Sequence, residues 1–172
     1  METDFVRASL MKKLSFALVI LVSLSMILCG CSSKNHLRFT DDILVCYQYV
    51  PYLEESDEAI VNISVFNSGK CVYEKITPSG KQASVEFEID KSSVKSIQNV
   101  IARVNFMELD EDVSTGGENG AFEYITAYAD GTSRKSGGLN PAEDSFTSLK
   151  EAVLDSVPES AIEECDTKLS DD

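Results

Sequence analysis

Apolar and polar residues alternate along much of this 172-residue chain, and the period of the alternation changes several times. Residues 43–49 form an apolar-rich run stopped by Pro51, which predicts a first strand. An acidic stretch, Glu54-Glu55-Ser56-Asp57-Glu58, follows it. Residues 59–66 then place Ala59, Val61, Ile63 and Val65 on one face, with Asn62 and Ser64 on the other. Asn67-Ser68-Gly69-Lys70 predicts a turn into a strand over 71–77. Pro78-Ser79-Gly80-Lys81 predicts a second turn into 83–89, where Val85, Phe87 and Ile89 oppose Glu86 and Glu88. Together these runs predict an antiparallel meander.

The period then lengthens. Val94, Ile97, Ile101 and Val104 recur at helical spacing behind Asp90, which predicts an N-capped amphipathic helix ending near Asn105. Residues 108–120 (ELDEDVSTGGENG) read as a polar loop, mobile and acidic. Residues 122–129 return to strand character, and Asp130-Gly131 is a two-residue hairpin signal into 132–136. Asn140-Pro141-Ala142-Glu143 combines an N-cap, a proline at the first helical position and an acidic third residue. It predicts a helix carrying Phe146, Leu149, Val153 and Val157 up to Pro158. Residues 159–172 read as an acidic tail that frays. The order predicts an α+β domain over residues 41–158, in which meander and hairpin form one antiparallel sheet and two amphipathic helices pack on one face.

The N-terminus has a different character. Lys12-Lys13 precede an uncharged apolar run over 14–28, which leads into Leu28-Cys29-Gly30-Cys31. A positive region, an apolar region and small residues at a cut make a secretory signal, and the run is shorter than the roughly 20 residues of a spanning helix. The order resembles the lipoprotein signal peptides of bacteria, in which a leucine, two small residues and a cysteine form the lipobox. That resemblance implies a diacylglyceryl group on the Cys31 thiol, a cut just before it and loss of residues 1–30. Residues 1–10 match no region of such a signal, so Met11 reads as its start. One acyl chain anchors only marginally, at about 0.8 kcal/mol per methylene, and two chains hold stably. The mature protein is thus expected outside the cytoplasm, held to the bilayer, with residues 31–40 as the lipidated cysteine and a polar tether.

Charge and cysteine count refine this picture. The chain carries a formal charge of −14, and losing three of 15 basic and two of 29 acidic residues with the signal leaves −15. So acidic a body is repelled by nucleic acid and by anionic head groups. With Cys29 removed and Cys31 lipidated, Cys46, Cys71 and Cys165 remain. Three thiols in an oxidising compartment permit one disulfide with one left over. Cys46–Cys71 is the preferred pair, since both fall on strands of one sheet. No two cysteines have metal-ligand spacing, and the only histidine, His36, lies in the tether, so no metal or cofactor is expected.

Candidate chemistry is sparse. Ser92-Ser93-Val94-Lys95 and Lys135-Ser136-Gly137 resemble two motifs of serine β-lactamases and penicillin-binding proteins. The resemblance implies Ser92 as nucleophile with Lys95. The S-x-N element is missing and the chain is too short for that fold; Ser92 and Ser93 also suit the first turn of a helix. Asp110-Glu111-Asp112 with Ser114 and Glu118 gathers oxygen ligands, but Thr115 and Ala121 stand where a calcium loop needs glycine and glutamate. Tyr47, Tyr49 and Tyr52 cluster at the first strand as packing or contact residues. Short pieces also resemble a pattern of small bacterial lipoproteins: Ser68-Gly69-Lys70, Asn105-Phe106 with Leu109, Asp112 with Ser114, Tyr124-Ile125-Thr126, and Gly137-Gly138-Leu139-Asn140-Pro141 with Phe146. That pattern implies no activity. The sequence favours a non-catalytic lipoprotein that binds an envelope protein or component. A small envelope hydrolase using Ser92 and Lys95, or a structural or inhibitory lipoprotein, is the alternative.

Overall fold

A computed structural model describes residues 36–52, 57–117 and 120–170. The lipobox and the apolar run before it lie outside the described residues. Six strands form one sheet: β1 (Ile43–Pro51), β2 (Ile60–Phe66), β3 (Lys70–Ile76), β4 (Gln82–Glu88), β5 (Ala121–Ala129) and β6 (Thr132–Leu139). Their order is β4-β3-β2-β1-β5-β6, and every neighbouring pair is antiparallel. Among the described residues three α-helices accompany the sheet: α1 (Lys91–Arg103), α2 (Asp144–Leu154) and α3 (Glu159–Ser170). The class is α+β, with the meander and hairpin joined through the central pair β1–β5. Among the described residues no helix is long and apolar enough to cross a membrane.

Alternation builds the core. Val45 and Tyr47 of β1, Ile63 and Val65 of β2, Cys71 and Tyr73 of β3, Ala83 and Val85 of β4, and Ile125 and Ala127 of β5 are all buried. The register aligns these residues on one face of the sheet. They share a single cluster with Val94, Ile97 and Ile101 of α1, Phe146, Leu149 and Val153 of α2, and Ala161 and Cys165 of α3. Burying each such large side chain contributes about 1.5–3 kcal/mol. Phe106, in a short 3₁₀ turn after α1, is fully buried as well. The left-handed Asn105 (φ 53°) before it turns the chain back onto the core.

Four expectations need correction. The acidic tail is helix α3 and belongs to the domain, because Ala161 and Cys165 sit at helical spacing and are buried. Its side chains also hold β4: the Cys165 thiol donates to the Ala83 carbonyl (3.5 Å) and Lys168 to the Ser84 carbonyl (3.1 Å). Next, part of the expected tether is docked. Leu37 and Phe39 pack against the core, and at the β5–β6 turn the Arg38 N–H donates to the Asp130 carboxylate while the Asp130 N–H donates to the Arg38 carbonyl. Residues 31–35 lie outside the described part.

The start of α2 also differs. Asn140 is left-handed (φ 49°) and not a helix cap; its side chain accepts from the Ala121 N–H and its own N–H bonds the Ala121 carbonyl. Glu143 caps the helix instead, accepting from the Phe146 N–H at 2.9 Å. Finally, residues 110–115 are not a free loop. Val113 donates to the Gly137 carbonyl, Thr115 to the Leu139 carbonyl and Gly137 to the Glu111 carbonyl, while the buried Ser136 hydroxyl donates to Asp110. The segment thereby covers the outer edge of β6, which would otherwise offer unpaired backbone groups to another chain.

That close approach explains Gly137-Gly138. A Cβ on Gly137 (φ +153°) would lie 2.0 Å from the Glu123 carbonyl oxygen, and one on Gly138 (φ +136°) 2.1 Å from Ser114 Oγ. Gly80 (φ +85°), in the β3–β4 turn, has open space around the same position. Gly80→Ala should therefore cost only the left-handed strain of about 1–2 kcal/mol. Gly137→Ala should cost clearly more, because a backbone oxygen must move. Equilibrium urea unfolding of the two variants measures the difference.

Candidate functional site

The middle of the sheet face opposite the core carries two rungs of mostly hydrogen-bonding side chains, with apolar Ile60, Ile76, Val50 and Phe122 beside them on the same face. One rung runs Ser84, Glu74, Asn62, Gln48, Tyr124, Gly137 across all six strands. The next runs Glu86, Val72, Ser64, Cys46, Thr126, Lys135. A cleft of about 380 Å³ lies over the middle of both rungs, at the small end of ligand pockets.

The first rung is wired together. Asn62 Nδ2 donates to Glu74 (2.8 Å), Gln82 Nε2 donates to the other Glu74 oxygen (2.6 Å), and Gln48 Nε2 donates to Asn62 Oδ1 (3.1 Å). An ionised carboxylate only accepts hydrogen bonds, so both amides beside Glu74 must turn their nitrogens toward it. Asn62 then turns its oxygen toward Gln48. Glu74 thus sets the direction of the whole row. In the second rung Cys46 Sγ and Ser64 Oγ are 3.6 Å apart. Burial pushes the Cys46 thiol above its ordinary range, opposed by that contact. Lys135 Nζ sits 4.2 Å from the centroid of the Tyr124 ring. Among the described residues it forms no ion pair. Glycine at 137 leaves space for that ring, since a Cβ there would come within 2.8 Å of Tyr124 Cδ1.

The predicted disulfide is not formed. Cys46 and Cys71 are free and lie on opposite faces of the sheet: Val45, next to Cys46, shares the cross-strand row of Val65 and Cys71. Strand β2 also separates them, and two strand spacings of about 4.8 Å exceed disulfide reach. Cys71 is fully buried, which pushes its thiol up to about 11, and Cys165 is buried on the inner face of α3. Sequence reading placed both cysteines in one sheet correctly but had no register from which to assign their faces.

Ser92 and Lys95 do not meet the Lys135-Ser136 pair. Ser92 is exposed in the first turn of α1, and its hydroxyl donates to Asp90 (2.6 Å). Helix α1 packs in the core, whereas Lys135 stands on the uncovered face, so the sheet lies between them. Ser136 is turned inward onto Asp110. The calcium candidates are likewise committed: Asp112 accepts from the hydroxyl and N–H of Ser114, which hold its carboxyl below the ordinary range. No metal-holding cluster of His, Cys, Asp or Glu occurs among the described residues. Glu118 lies outside them.

The tyrosines split by face. Tyr47 is buried on the core side and donates to Glu123 (2.6 Å), which also pairs with Lys150 of α2 (3.1 Å). Burial first, then that carboxylate, pushes Tyr47 well above the ordinary range. Tyr49 donates to Glu58 (2.6 Å), and that bond is the main reason it is pushed up to about 12. Tyr124, which stood out in the sequence only within a resemblance, is on the open face, and Tyr128 follows it there along β5. A second cleft, of about 330 Å³, runs between α1 and α2 over Ile97, Val100 and Ala152. Its charged residues Arg103, Glu151 and Asp155 form no network with one another like that of the open face.

No family model matches the chain, and no curated protein matches its sequence, so the site is read from its own residues.

Asp90 offers a pH test of the serine assignment. Hydrogen bonds from Ser92 first, then Ser93, hold its carboxyl down to about 2 against an ordinary 3.8. A depressed carboxyl stabilises the fold above 3.8 and loses that contribution as pH falls through about 2. Ser92→Ala should raise the Asp90 pKa and weaken the low-pH dependence of stability. Carboxyl NMR titration of Asp90 in both proteins measures the shift.

Proposed function

We propose that this protein is an extracytoplasmic lipoprotein, held to the cell membrane by diacylglyceryl-Cys31, whose domain binds an envelope protein or component through the open face of its sheet. It performs no catalysis. The observation that carries the binding role is the wired row of polar side chains Gln82–Glu74–Asn62–Gln48 under an open cleft. Solubility alone requires charged side chains on a sheet face, not amides fixed in one direction. Packing already covers the opposite face, and part of each sheet edge is engaged elsewhere, by α3 at Ser84 of β4 and by residues 110–115 at Gly137 and Leu139 of β6. The lipobox order Leu28-Cys29-Gly30-Cys31 supports the anchor, and two acyl chains supply stable attachment without a spanning helix.

Two measurements test the two halves of this reading. Cys31→Ser should abolish labelling by radioactive fatty acid and release the protein from membranes; continued labelling would contradict the anchor. Capture from detergent-solubilised envelopes with the lipidated protein should recover one reproducible component. The double variant Gln48→Leu, Asn62→Leu should lose it at least tenfold, the size of an effect of about 1.4 kcal/mol. Undiminished recovery would remove the open face from the account and favour a purely structural lipoprotein.

A further inference from the structure

The open face also specifies the charge and polarity of what it holds. Lys135 stands at the β6 side of the cleft, with its ammonium over the Tyr124 ring and no carboxylate partner among the described residues. An ammonium carries three donors and no acceptor, and a cation–π contact satisfies none of them directionally. In a domain with so large an acidic excess, this cation is left facing the cleft rather than paired.

The amide row adds a second constraint. Each primary amide nitrogen has two N–H groups, and the bonds of Gln48, Asn62 and Gln82 along the row use one apiece. Because Glu74 fixes the direction of the row, the Gln48 oxygen is the end left over, nearest Tyr124 in the register. The cleft therefore presents one cation, spare N–H donors and one amide acceptor, with the Glu74 carboxylate at the β3 side already accepting from two amides. The hydroxyls of Ser64 and Thr126 stand beside them in the second rung.

Resting on the reading that this face binds, we infer that the cleft takes a small carboxylic acid that also bears hydroxyl or amide N–H donors. The carboxylate seats on Lys135, and a donor on the same molecule meets the Gln48 oxygen. A phosphate dianion matches less well: the cleft has one cation, and the second negative charge would face Glu74 and the acidic body unpaired. A neutral polyol leaves Lys135 unmatched. A polymer is not required, since the volume of about 380 Å³ suits a single small molecule or one terminal unit.

Cys46 supplies the readout, since it lines the cleft while Cys71 and Cys165 are fully buried. The full-length protein in detergent micelles is labelled with a maleimide, and modification of the Cys46 peptide is followed by mass spectrometry. The probes are glucuronate and N-acetylalanine, against glucose, N-acetylalaninamide and glucose 6-phosphate. Both carboxylates should slow labelling several-fold, and the neutral counterparts and the phosphate should not. Lys135→Met should abolish the protection and Lys135→Arg should retain it, with unchanged circular dichroism. Equal protection by neutral probes, or protection surviving in Lys135→Met, would overturn the carboxylate assignment while leaving the binding role of the face standing. No protection by any probe would overturn the ligand class, and envelope capture by the open face would still be judged separately.

Discussion

One-sided burial of a six-stranded sheet is the constraint on which the rest of this structure depends. Successive side chains on a strand point to opposite faces, so each strand that feeds Val45, Ile63, Cys71, Val85 or Ile125 to the core must send its other residues outward. Register then stacks both sets across the sheet. The helices cover the apolar set, with α1 and α2 bringing Ile97, Ile101, Phe146 and Leu149, and α3 bringing Ala161 and Cys165. The outward set includes the two aligned rungs over which the cleft lies. The open polar face is thus the geometric complement of the core rather than a separate feature.

A polar sheet face is ordinarily a loose, solvated surface. Here a single carboxylate imposes order. Glu74 accepts from Asn62 and Gln82, and Asn62 then turns its oxygen toward Gln48. Rigid neighbours support the arrangement: Gly137 leaves room for Tyr124, and residues 110–115 clamp β6 through Val113 and Thr115. At the far edge, Lys168 and Cys165 of α3 occupy the carbonyls of Ser84 and Ala83. Part of each edge is thereby occupied, at Ser84 of β4 and at Gly137 and Leu139 of β6.

Most of the architecture was legible from local pattern. Ala59 through Val65 declared their alternation, Asp130-Gly131 declared a hairpin, and Val94, Ile97 and Ile101 declared a helix behind Asp90. Long-range facts were not legible. Nothing near Cys46 and Cys71 says that strand β2 lies between them or that they face apart. Asn140-Pro141 carries a helix-start pattern, yet tertiary pairing with Ala121 takes Asn140 for the sheet. The acidic content of residues 159–170 hid a helix because only Ala161 and Cys165 carry its buried stripe. The site was hidden for the same reason. Gln48, Asn62, Glu74 and Lys135 are unremarkable polar residues until the register places them in neighbouring rungs, whereas Ser92 and Lys95 form a motif that the fold keeps away from Lys135 and Ser136.

The account rests on the claim that Glu74 fixes the amide row, and the side-chain amide groups report on that directly. In NMR spectra of the intact protein, the Asn62 and Gln82 side-chain N–H signals should be dispersed and slow to exchange with water. In Glu74→Leu they should collapse toward the values of free, solvated amides, with Gln48 following although it does not touch Glu74. Amide signals already averaged in the wild type, or a Gln48 signal indifferent to the loss of Glu74, would contradict the account.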